Sequence, residues 1–440
     1  MKIFFAPKYR TAVTAFFALI FLASCTKNKP QNNGASAPSM ADKFLSSQAS
    51  QKSSAKTPLE RIRFNKGKAV KDFVSVTFND CTAKDTVRNM KAGWNLGNTF
   101  DATGNGNSLE SEISWGQPYT TRAMIDGLAA SGIKTIRIPV SWSHHIIDTN
   151  YTIDPAWMSR VKEVVDWAIE DGLYVIINIH HDNYDKTDKM PPFAGFYPSA
   201  ENFENSADFV CNVWAQISLA FNNGYDEHLI FEALNEPRLC GTAEEWWYNP
   251  ASKKSVEAMQ SLNKLNQAIL DVIRASDGNN KKRMLAFASL QASPDSAMAG
   301  TFKMPQDYDY KTDRLILSVH MYTPYNFAME SPGISDYTAL VKKEFVSVFK
   351  RLNESYIEKG YAVYVGEYGA TNKNNLEDRV AWFGDFIKES RAYGMSCILW
   401  DNGVWKVEGN EFSEHYGFYN RENQSWYFPE IIEAINSEIK

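Results

Sequence analysis

Two glutamates stand at the ends of apolar runs, where one could act as an acid and the other as a base or nucleophile. Glu236 closely follows residues 229–234 in the stretch LIFEALNEP, and Glu367 ends residues 361–367, YAVYVGE. A short apolar run bounded by turn or charged residues predicts a buried strand, and Pro237 prevents the first strand from continuing. A carboxyl group at such a strand end is partly desolvated, which raises its pKa and suits a general acid. Taken alone, Glu236 could equally well cap the next element or pair with Arg238.

Further polar and aromatic residues fall at or just after the ends of other apolar runs. In chain order they are Asn95 and Asn98, Arg137, His180 and His181, Asn235, His320 and Tyr322, and Trp400. Each alone has an ordinary explanation, such as a core ion pair, a satisfied core histidine or a core tryptophan, but packing does not explain their shared position. A pair of opposed carboxyl groups is what hydrolysis of a glycosidic bond requires. No phosphate-binding loop, nucleophilic serine elbow or dinucleotide fingerprint competes with that interpretation.

Eight apolar runs alternate, mostly, with helical patterns from residue 91 onward. Strands are predicted near residues 92–96, 134–140, 173–180, 229–234, 283–289, 314–320, 361–367 and 395–400. Helices are predicted near residues 121–130, 158–170, 207–222, 256–275, 337–359, 376–393 and 429–439, with weak helical signal in the fifth unit. Such runs predict a parallel sheet buried on both faces, and eight strands close a barrel. We therefore expect the α/β class and a (β/α)8 TIM barrel in a single catalytic domain over residues 72–440. The alternative, a doubly wound open sheet, would need a glycine-rich loop after the first strand.

The N-terminus has the pattern of a lipoprotein signal. A basic start is followed by an apolar segment over residues 12–22, too short to span a bilayer comfortably. The sequence Leu22-Ala23-Ser24-Cys25 comes next and resembles a bacterial lipobox. We expect residues 1–24 to be a signal peptide and Cys25 to be lipidated, which would anchor the protein to a bacterial membrane, facing the periplasm or the cell surface. An ordinary cleaved signal peptide is the alternative.

Charge is distributed unevenly along the chain. Residues 25–71 are rich in Ser, Lys, Ala, Asn and Gln and carry ten basic and two acidic side chains, which predicts a flexible tether. Residues 72–440 carry 33 basic and 50 acidic side chains, and an acidic body argues against a nucleic-acid partner. The basic tether suits an anionic membrane surface, or serves only as a solubilising spacer. We expect a monomer.

Four cysteines remain besides Cys25, and none has the spacing of a zinc site. They are Cys81, Cys211, Cys240 and Cys397. Disulfides are permitted outside the cytoplasm, but the sequence does not pair these four. Cys211 and Cys397 lie in apolar, periodic surroundings and are predicted to be buried thiols.

Several motifs together resemble glycoside hydrolase family 5. They are residues 93–98 (GWNLGN), 136–140 (IRIPV), 178–181 (NIHH), 234–237 (LNEP), 319–322 (VHMY), 366–369 (GEYG) and 400–403 (WDNG), in the family's order. Residues 114–116 (SWG), 225–228 (YDEH) and 323–327 (TPYNF) resemble its subfamily 4 more narrowly. The resemblance covers about residues 90–438, and GEY stands where many relatives have GEF.

The resemblance implies a role for each matching residue. It implies Glu236 as general acid/base and Glu367 as nucleophile of a retaining reaction, with Arg137 and Tyr322 holding Glu367 ionised. The other substrate-binding residues that it implies are Asn98, His180, His181, Asn235, His320 and Trp400. It also implies a cellulase-type endoglucanase acting on β-1,4-linked glucans such as cellulose, mixed-linkage glucan or xyloglucan, without a cofactor. Trp142, Trp246, Trp247 and Trp405 are candidates for outer sugar subsites, with core or loop-packing roles at least as well supported.

Other functions remain open at this stage. A β-mannanase or xylanase on the same barrel is the nearest alternative. A metal-dependent hydrolase with His180, His181, Asp182 and His320 as ligands comes from a different class, but these residues lack a fixed metal-binding spacing. A glycan-binding lipoprotein without turnover would need neither glutamate.

Overall fold

Eight parallel strands form a closed barrel in which neighbours along the chain are neighbours in space and β1 pairs with β8. The structure is a computed structural model that describes residues 57–184, 194–407 and 414–440. The strands are β1 (Ala92–Asn95), β2 (Thr135–Ile138), β3 (Tyr174–Asn178), β4 (Leu229–Glu232), β5 (Leu285–Ala288), β6 (Leu315–His320), β7 (Ala362–Tyr368) and β8 (Ser396–Leu399). A short antiparallel ribbon, β9 (Tyr419–Asn420) and β10 (Ser425–Trp426), follows β8. The predicted (β/α)8 barrel is confirmed.

Ten α-helices are present in the described residues. They are α1 (Ala83–Met90), α2 (Arg122–Ala130), α3 (Pro155–Glu170), α4 (Phe203–Ala220), α5 (Lys253–Ala275), α6 (Pro294–Met298), α7 (Tyr325–Ala328), α8 (Ala339–Leu352), α9 (Leu376–Ala392) and α10 (Pro429–Ser437). All seven predicted helices are present, although the one expected over residues 337–359 is α8 continued by a π-helical turn, Asn353–Ile357. Helix α1 and the short helices α6 and α7 were not predicted.

Alternation along the strands divides the barrel into an outer core and a layered interior. Val175 and Ile177 of β3 pack outward against the helices, whereas Ile176 packs inward with apolar residues of β4 to β8. Helix α1 contributes Val87 and Met90 to this inner cluster at the N-terminal end of the strands. The barrel interior is therefore sealed at one end by hydrophobic side chains, and its polar residues collect toward the other.

Local sequence signals place the helix ends. Thr82 and Asp85 form a reciprocal capping box at the start of α1, and Asp154 caps α3, whose first residue is Pro155. Gly172 has a φ of 75° just after α3, the left-handed conformation in which glycine ends helices most readily.

Residues 57–72, here called the N-terminal strap, pack along α4, so the expected tether boundary at residue 71 is wrong. Arg61 forms an ion pair with Asp208 at 2.7 Å, and the Phe64 amide donates to Asn212 Oδ1 at 3.0 Å. Phe64 is only 5% exposed. The polar composition of residues 25–71 concealed these few anchoring side chains, and packing against α4 is present from Arg61 onward.

The signal peptide, Cys25 and the rest of the tether up to residue 56 lie outside the described residues. Among those residues, the thiols of Cys81, Cys211 and Cys397 are free, and Cys211 and Cys397 are buried as predicted. The Cys240 thiol donates to Asn183 O at 3.8 Å. No helix in the described ranges is long and apolar enough to cross a bilayer.

Candidate active site

An arginine inside the barrel connects the polar residues at the C-terminal ends of the strands. Arg137, on β2, is fully buried. Its guanidinium donates to both carboxylate oxygens of Glu232, to Glu367 Oε1 at 2.8 Å, to Asn95 Oδ1 at 2.9 Å and to Asn235 Oδ1 at 2.6 Å. Because the planar guanidinium presents its donors in fixed directions, one side chain orients four partners.

Glu232 is a buried carboxylate that the sequence analysis missed. Its oxygens also accept hydrogen bonds from the Tyr364 hydroxyl at 2.6 Å and from Asn178 Nδ2 at 3.2 Å. Burial alone would raise the pKa of Glu232, but the charge of Arg137 lowers it below the ordinary value. The available signal was a charged residue inside the apolar run LIFEAL, at the inward-facing position two residues after Ile230.

Glu367 lies close to the end of β7, between two irregularities of the sheet. The register shifts between Val319 and His320 on the β6 side and between Val365 and Tyr368 on the β8 side. Such bulges re-aim side chains next to functional sites. The Glu367 carboxylate accepts from Arg137 through Oε1 and from the Tyr322 hydroxyl through Oε2, the latter at 3.1 Å.

Glu236 follows β4 and faces the same space. The ladder of β4 ends at Glu232, earlier than expected, although the Asn235 amide still donates to Ile179 O at 2.9 Å. The Glu236 side chain is 19% exposed, and its Oε1 lies 2.7 Å from His320 Nδ1. One oxygen of Glu236, one of Glu367 and a ring nitrogen of His320 all lie within 4.8 Å of one another.

The charges of Glu236, Glu367 and His320 shift one another's pKa. Burial would lower the pKa of His320, but the charges of Glu367 and Glu236 raise it. Burial raises the pKa of Glu367. At Glu236 the charges of His320 and Arg238 outweigh burial and lower the pKa, so the raised pKa expected for Glu236 from its place at a strand end is wrong. These directions favour an imidazolium at His320 beside the Glu236 carboxylate. When groups interact this closely, each apparent pKa describes the whole group of residues and cannot be assigned to one of them.

Trp400 and the two adjacent histidines form one wall of the site. The His180 and Trp400 rings are parallel, with an interplanar angle of 2° and centroids 6.1 Å apart. His181 is partly exposed and its ring lies 5.4 Å from that of Trp115. Burial lowers the pKa of His180 and lowers that of His181 to about 4, so both rings are neutral near pH 7. A Cβ at Gly97 would come within 2.9 Å of the Trp400 ring, which explains the need for glycine there.

Asn98 lies beside this wall, and its backbone is held by a second carboxylate that the sequence analysis missed. Asp101 is fully buried and accepts the amide of Asn98 at 3.0 Å and that of Thr99. Asn98 itself has a φ of 54°, a conformation that asparagine tolerates better than most residues. Burial raises the pKa of Asp101 to about 6.

The metal-ligand set considered from the sequence is not assembled. The Asp182 carboxylate accepts the backbone amides of Trp142 and Ser143. Within the described residues, His180 and His181 group with Asp101 instead, and His320 groups with the two glutamates. The four residues therefore do not converge on one point.

The candidate subsite tryptophans separate into two kinds. Trp142 is fully buried and donates to Asn178 O, so it is a core residue. Trp405 is partly buried and stacks on Tyr427, with centroids 4.5 Å apart. Trp246 and Trp247 remain 57% and 54% exposed, and the Arg238 guanidinium lies 4.5 Å from the Trp246 ring centroid.

A parallel (β/α)8 barrel with two close carboxylates beside aromatic and amide groups at the strand ends is the arrangement expected of a glycoside hydrolase. The profile described as Cellulase (glycosyl hydrolase family 5) matches residues 97–405. The chain belongs to this family, as its motifs indicated.

Similar proteins agree with this assignment. Endoglucanase B of Ruminococcus albus is 41% identical over 356 residues, which cover 80% of both chains. The structure of a family 5 lichenase from Caldicellulosiruptor sp. F32 matches with a TM-score of 0.76 at 37% identity, covering 84% of this chain and 98% of the other. A subfamily 4 broad-specificity endoglucanase from Ruminococcus champanellensis with bound cellotriose matches with a TM-score of 0.74 at 36% identity, covering 83% of this chain and all of the other.

Proposed function

We propose that the protein hydrolyses internal β-1,4-glucosidic bonds of β-glucans with retention of the anomeric configuration. The observation that carries the proposal is the approach of Glu236 and Glu367, whose nearest oxygens lie within 4.8 Å of each other. Carboxyl groups of retaining glycosidases stand about 5–5.5 Å apart, whereas inverting enzymes need roughly 6.5–9.5 Å to admit a water molecule. The short separation supports a covalent glycosyl–enzyme intermediate.

Glu367 is the nucleophile in this proposal. Arg137 and Tyr322 both donate to its carboxylate, one to each oxygen, and these bonds orient it and favour its charged form. In the first step, a Glu367 oxygen forms a bond to the anomeric carbon while the bond from that carbon to the leaving oxygen breaks. The negative charge of Glu367 is lost as the ester forms.

Glu236 supplies the proton that the leaving oxygen takes up. Its 2.7 Å contact with His320 Nδ1 gives it access to the proton that the cluster holds. We infer that this proton passes from His320 through Glu236 to the leaving group. In the second step, Glu236 accepts a proton from the attacking water, and hydrolysis of the ester regenerates the Glu367 carboxylate.

The remaining residues would hold the reacting sugar. Because Asn235 Oδ1 accepts from Arg137, its amide nitrogen is available to donate to a sugar hydroxyl. Trp400 offers an aromatic face to the C–H bonds of the ring, and His181 is exposed enough to contact substrate. The relatives described as endoglucanases and a lichenase support β-glucans as the substrates.

Proton NMR of early hydrolysis tests the mechanism. Retention predicts that the β-anomer of the new reducing end appears first and mutarotates later. Appearance of the α-anomer first would show inversion and would remove Glu367 as nucleophile.

We further propose that the protein is lipidated on Cys25 and attached to a bacterial membrane. The lipobox-like sequence directly after an apolar segment supports this location. Cys25→Ser should move the protein from the detergent phase to the aqueous phase in a detergent partitioning assay. Unchanged partitioning of this variant would contradict lipidation.

A further inference from the structure

A short extended segment after the N-terminal strap exposes large apolar side chains. Phe73 is 89% exposed, Val74 is 65% exposed and Val76 is 38% exposed. These three residues are here called the apolar edge. Apolar residues exposed next to one another, unlike single ones scattered over a surface, mark a contact with another apolar phase.

The apolar edge is rigidly attached to the barrel. The Asp72 amide donates to Leu219 O at 2.9 Å, and Asn279 Nδ2 donates to Val76 O at 3.1 Å. The Asp72 carboxylate in turn accepts the amides of Asn222 and Gly224. The exposed side chains therefore project from a fixed backbone that is hydrogen-bonded on both sides.

The apolar edge lies at the end of the barrel opposite the active site. Leu219 and Asn222 lie at the C-terminal end of α4, just before the start of β4, whereas Glu236 and Glu367 lie at the opposite ends of their strands. Contact made by the apolar edge would leave the cleft facing away.

The charges beside the apolar edge suit an anionic surface. Lys71 precedes it, and the exposed Lys281 and Lys282 follow Asn279, which bonds to it. The neighbouring Asp72 has its carboxylate occupied by backbone amides, and Asp80 is paired with Arg314. Asp277 is the exposed acidic residue closest to these lysines in sequence. Lysines around an apolar protrusion are the combination that binds the headgroup region of anionic bilayers.

We propose that the apolar edge rests on the anionic lipid surface to which Cys25 would anchor the chain, with the active-site cleft turned toward the medium. This orientation rests on the proposed lipidation. The first residues of the strap lie near the N-terminal end of α4, and the apolar edge lies near its C-terminal end. A helix of this length spans about 27 Å, which is the distance between them. Residues 26–56 can extend up to about 100 Å, so the tether is long enough to let that end of the barrel reach the bilayer.

The test uses the lipidated full-length chain in vesicles of phosphatidylethanolamine and phosphatidylglycerol. A nitroxide on Val74→Cys reports on the apolar edge. Leu340→Cys is the matched control, since Leu340 is 67% exposed but lies at the start of α8, at the active-site end. The unsubstituted chain, labelled in parallel, corrects for Cys81. Collisions of each label with oxygen, which concentrates in lipid, are compared with collisions with a water-soluble nickel chelate.

The orientation predicts that the Val74 label is reached mainly by oxygen and the Leu340 label mainly by nickel. Equal nickel access to both labels on bound protein would overturn it. A Val74 label shielded from both reagents without vesicles would instead indicate a second copy or the chain's own leader on this edge, and would also overturn it.

Two controls separate this inference from the proposals on which it depends. Failure of the wild-type chain to partition into vesicles would remove the lipidation and the orientation together. Val74→Cys is expected to hydrolyse soluble β-glucan at the same rate as the unsubstituted chain. If neither protein hydrolyses it, the proposed activity is wrong but the orientation is not affected.

Discussion

At the residue scale, the site depends on how one arginine divides its hydrogen bonds. Arg137 carries a charge that faces two carboxylates, Glu232 and Glu367, and only the second faces the cleft. Glu232 therefore shares the Arg137 charge that favours the ionised form of Glu367. His320 adds a second positive group, 2.7 Å from Glu236 and 3.5 Å from Glu367, which opposes the rise in the pKa of Glu367 that burial causes. The reactivity of the pair follows from this shared arrangement rather than from either glutamate alone.

Substitution of each glutamate should have a different effect on different substrates. Glu367→Gln should abolish turnover of every substrate, because no nucleophile remains. Glu236→Gln should lower kcat on β-glucans by about 10²–10⁴-fold, the usual contribution of a general acid, but spare the first step with an aryl cellobioside whose leaving group needs no proton. Burst and steady-state kinetics would measure this, and equal losses on both substrates would contradict the assignment.

The proton shared with His320 should set the alkaline side of the pH profile. The pKa of His320 is raised above its ordinary value of 6.5, so the proton is fully present below that pH and is lost as pH rises through the higher value. We expect kcat/KM on soluble β-glucan to fall with an apparent pKa above 6.5. His320→Gln should lower kcat by about a hundredfold and displace this limb. A limb that stays in place in the variant would show that another group controls it.

Trp246 should contribute to binding on the leaving-group side. It covers Arg238, whose Nη1 lies 4.0 Å from Glu236 Oε2, so it lies beyond the proposed acid. Trp246→Ala should raise KM for cello-oligosaccharides several-fold, since it removes an exposed aromatic face on which a sugar ring can pack, and should leave an aryl cellobioside unaffected. Trp247→Ala, a similarly exposed neighbour, is the control. Equal effects of Trp246→Ala on both substrates would place Trp246 outside the leaving-group side.

At the element scale, the strands place the site and the N-terminal strap braces one helix. Two bulges flank Glu367, and α1 seals the opposite end of the barrel with apolar side chains. The strap adds the buried Phe64 and the buried ion pair of Arg61 with Asp208 to the outer surface of α4. The family profile begins only at residue 97, so the strap, like α1 and β1, precedes the residues that the profile matches.

The two phenylalanines of this region should differ sharply in their effect on stability. Phe64→Ala should lower the free energy of unfolding by about 3 kcal/mol, because it removes a buried aromatic ring. Phe73→Ala should change it by less than about 0.5 kcal/mol, because that side chain is 89% exposed. Urea denaturation measures both. Equal midpoints for the two variants would show that the strap does not contribute to the fold.

At the scale of the whole molecule, the active-site end and the apolar edge face opposite directions of one barrel. This arrangement suits the proposed orientation, in which the cleft faces polymers beyond the membrane to which Cys25 would anchor the chain. Deletion of residues 26–56 should leave activity on soluble β-glucan unchanged, since their polar, lysine-rich composition is typical of a tether. Loss of turnover by a deleted form that still unfolds cooperatively would contradict this.

The sequence alone determined the barrel, the family and most of the site. Apolar runs predict buried strands, and polar residues at the ends of several such runs share a position that packing does not explain. Arg137, Glu236, His320 and Glu367 could therefore be named as site candidates together, although each alone had an ordinary explanation. Periodicity also located most helices, but not α1, whose apolar residues Ala83, Val87 and Met90 are few and face the barrel interior.

Only the tertiary structure decided which of these residues share partners. Glu232, Asp101 and Asp182 are all acidic residues in or near strands, yet each has different partners. Glu232 pairs with Arg137, Asp101 accepts the amide of Asn98, and Asp182 accepts the amides of Trp142 and Ser143. The strap was likewise decided by contacts with α4, more than 100 residues later in the chain. Such pairings depend on the closure of the barrel, which brings distant segments together, and no local pattern in the sequence encodes them.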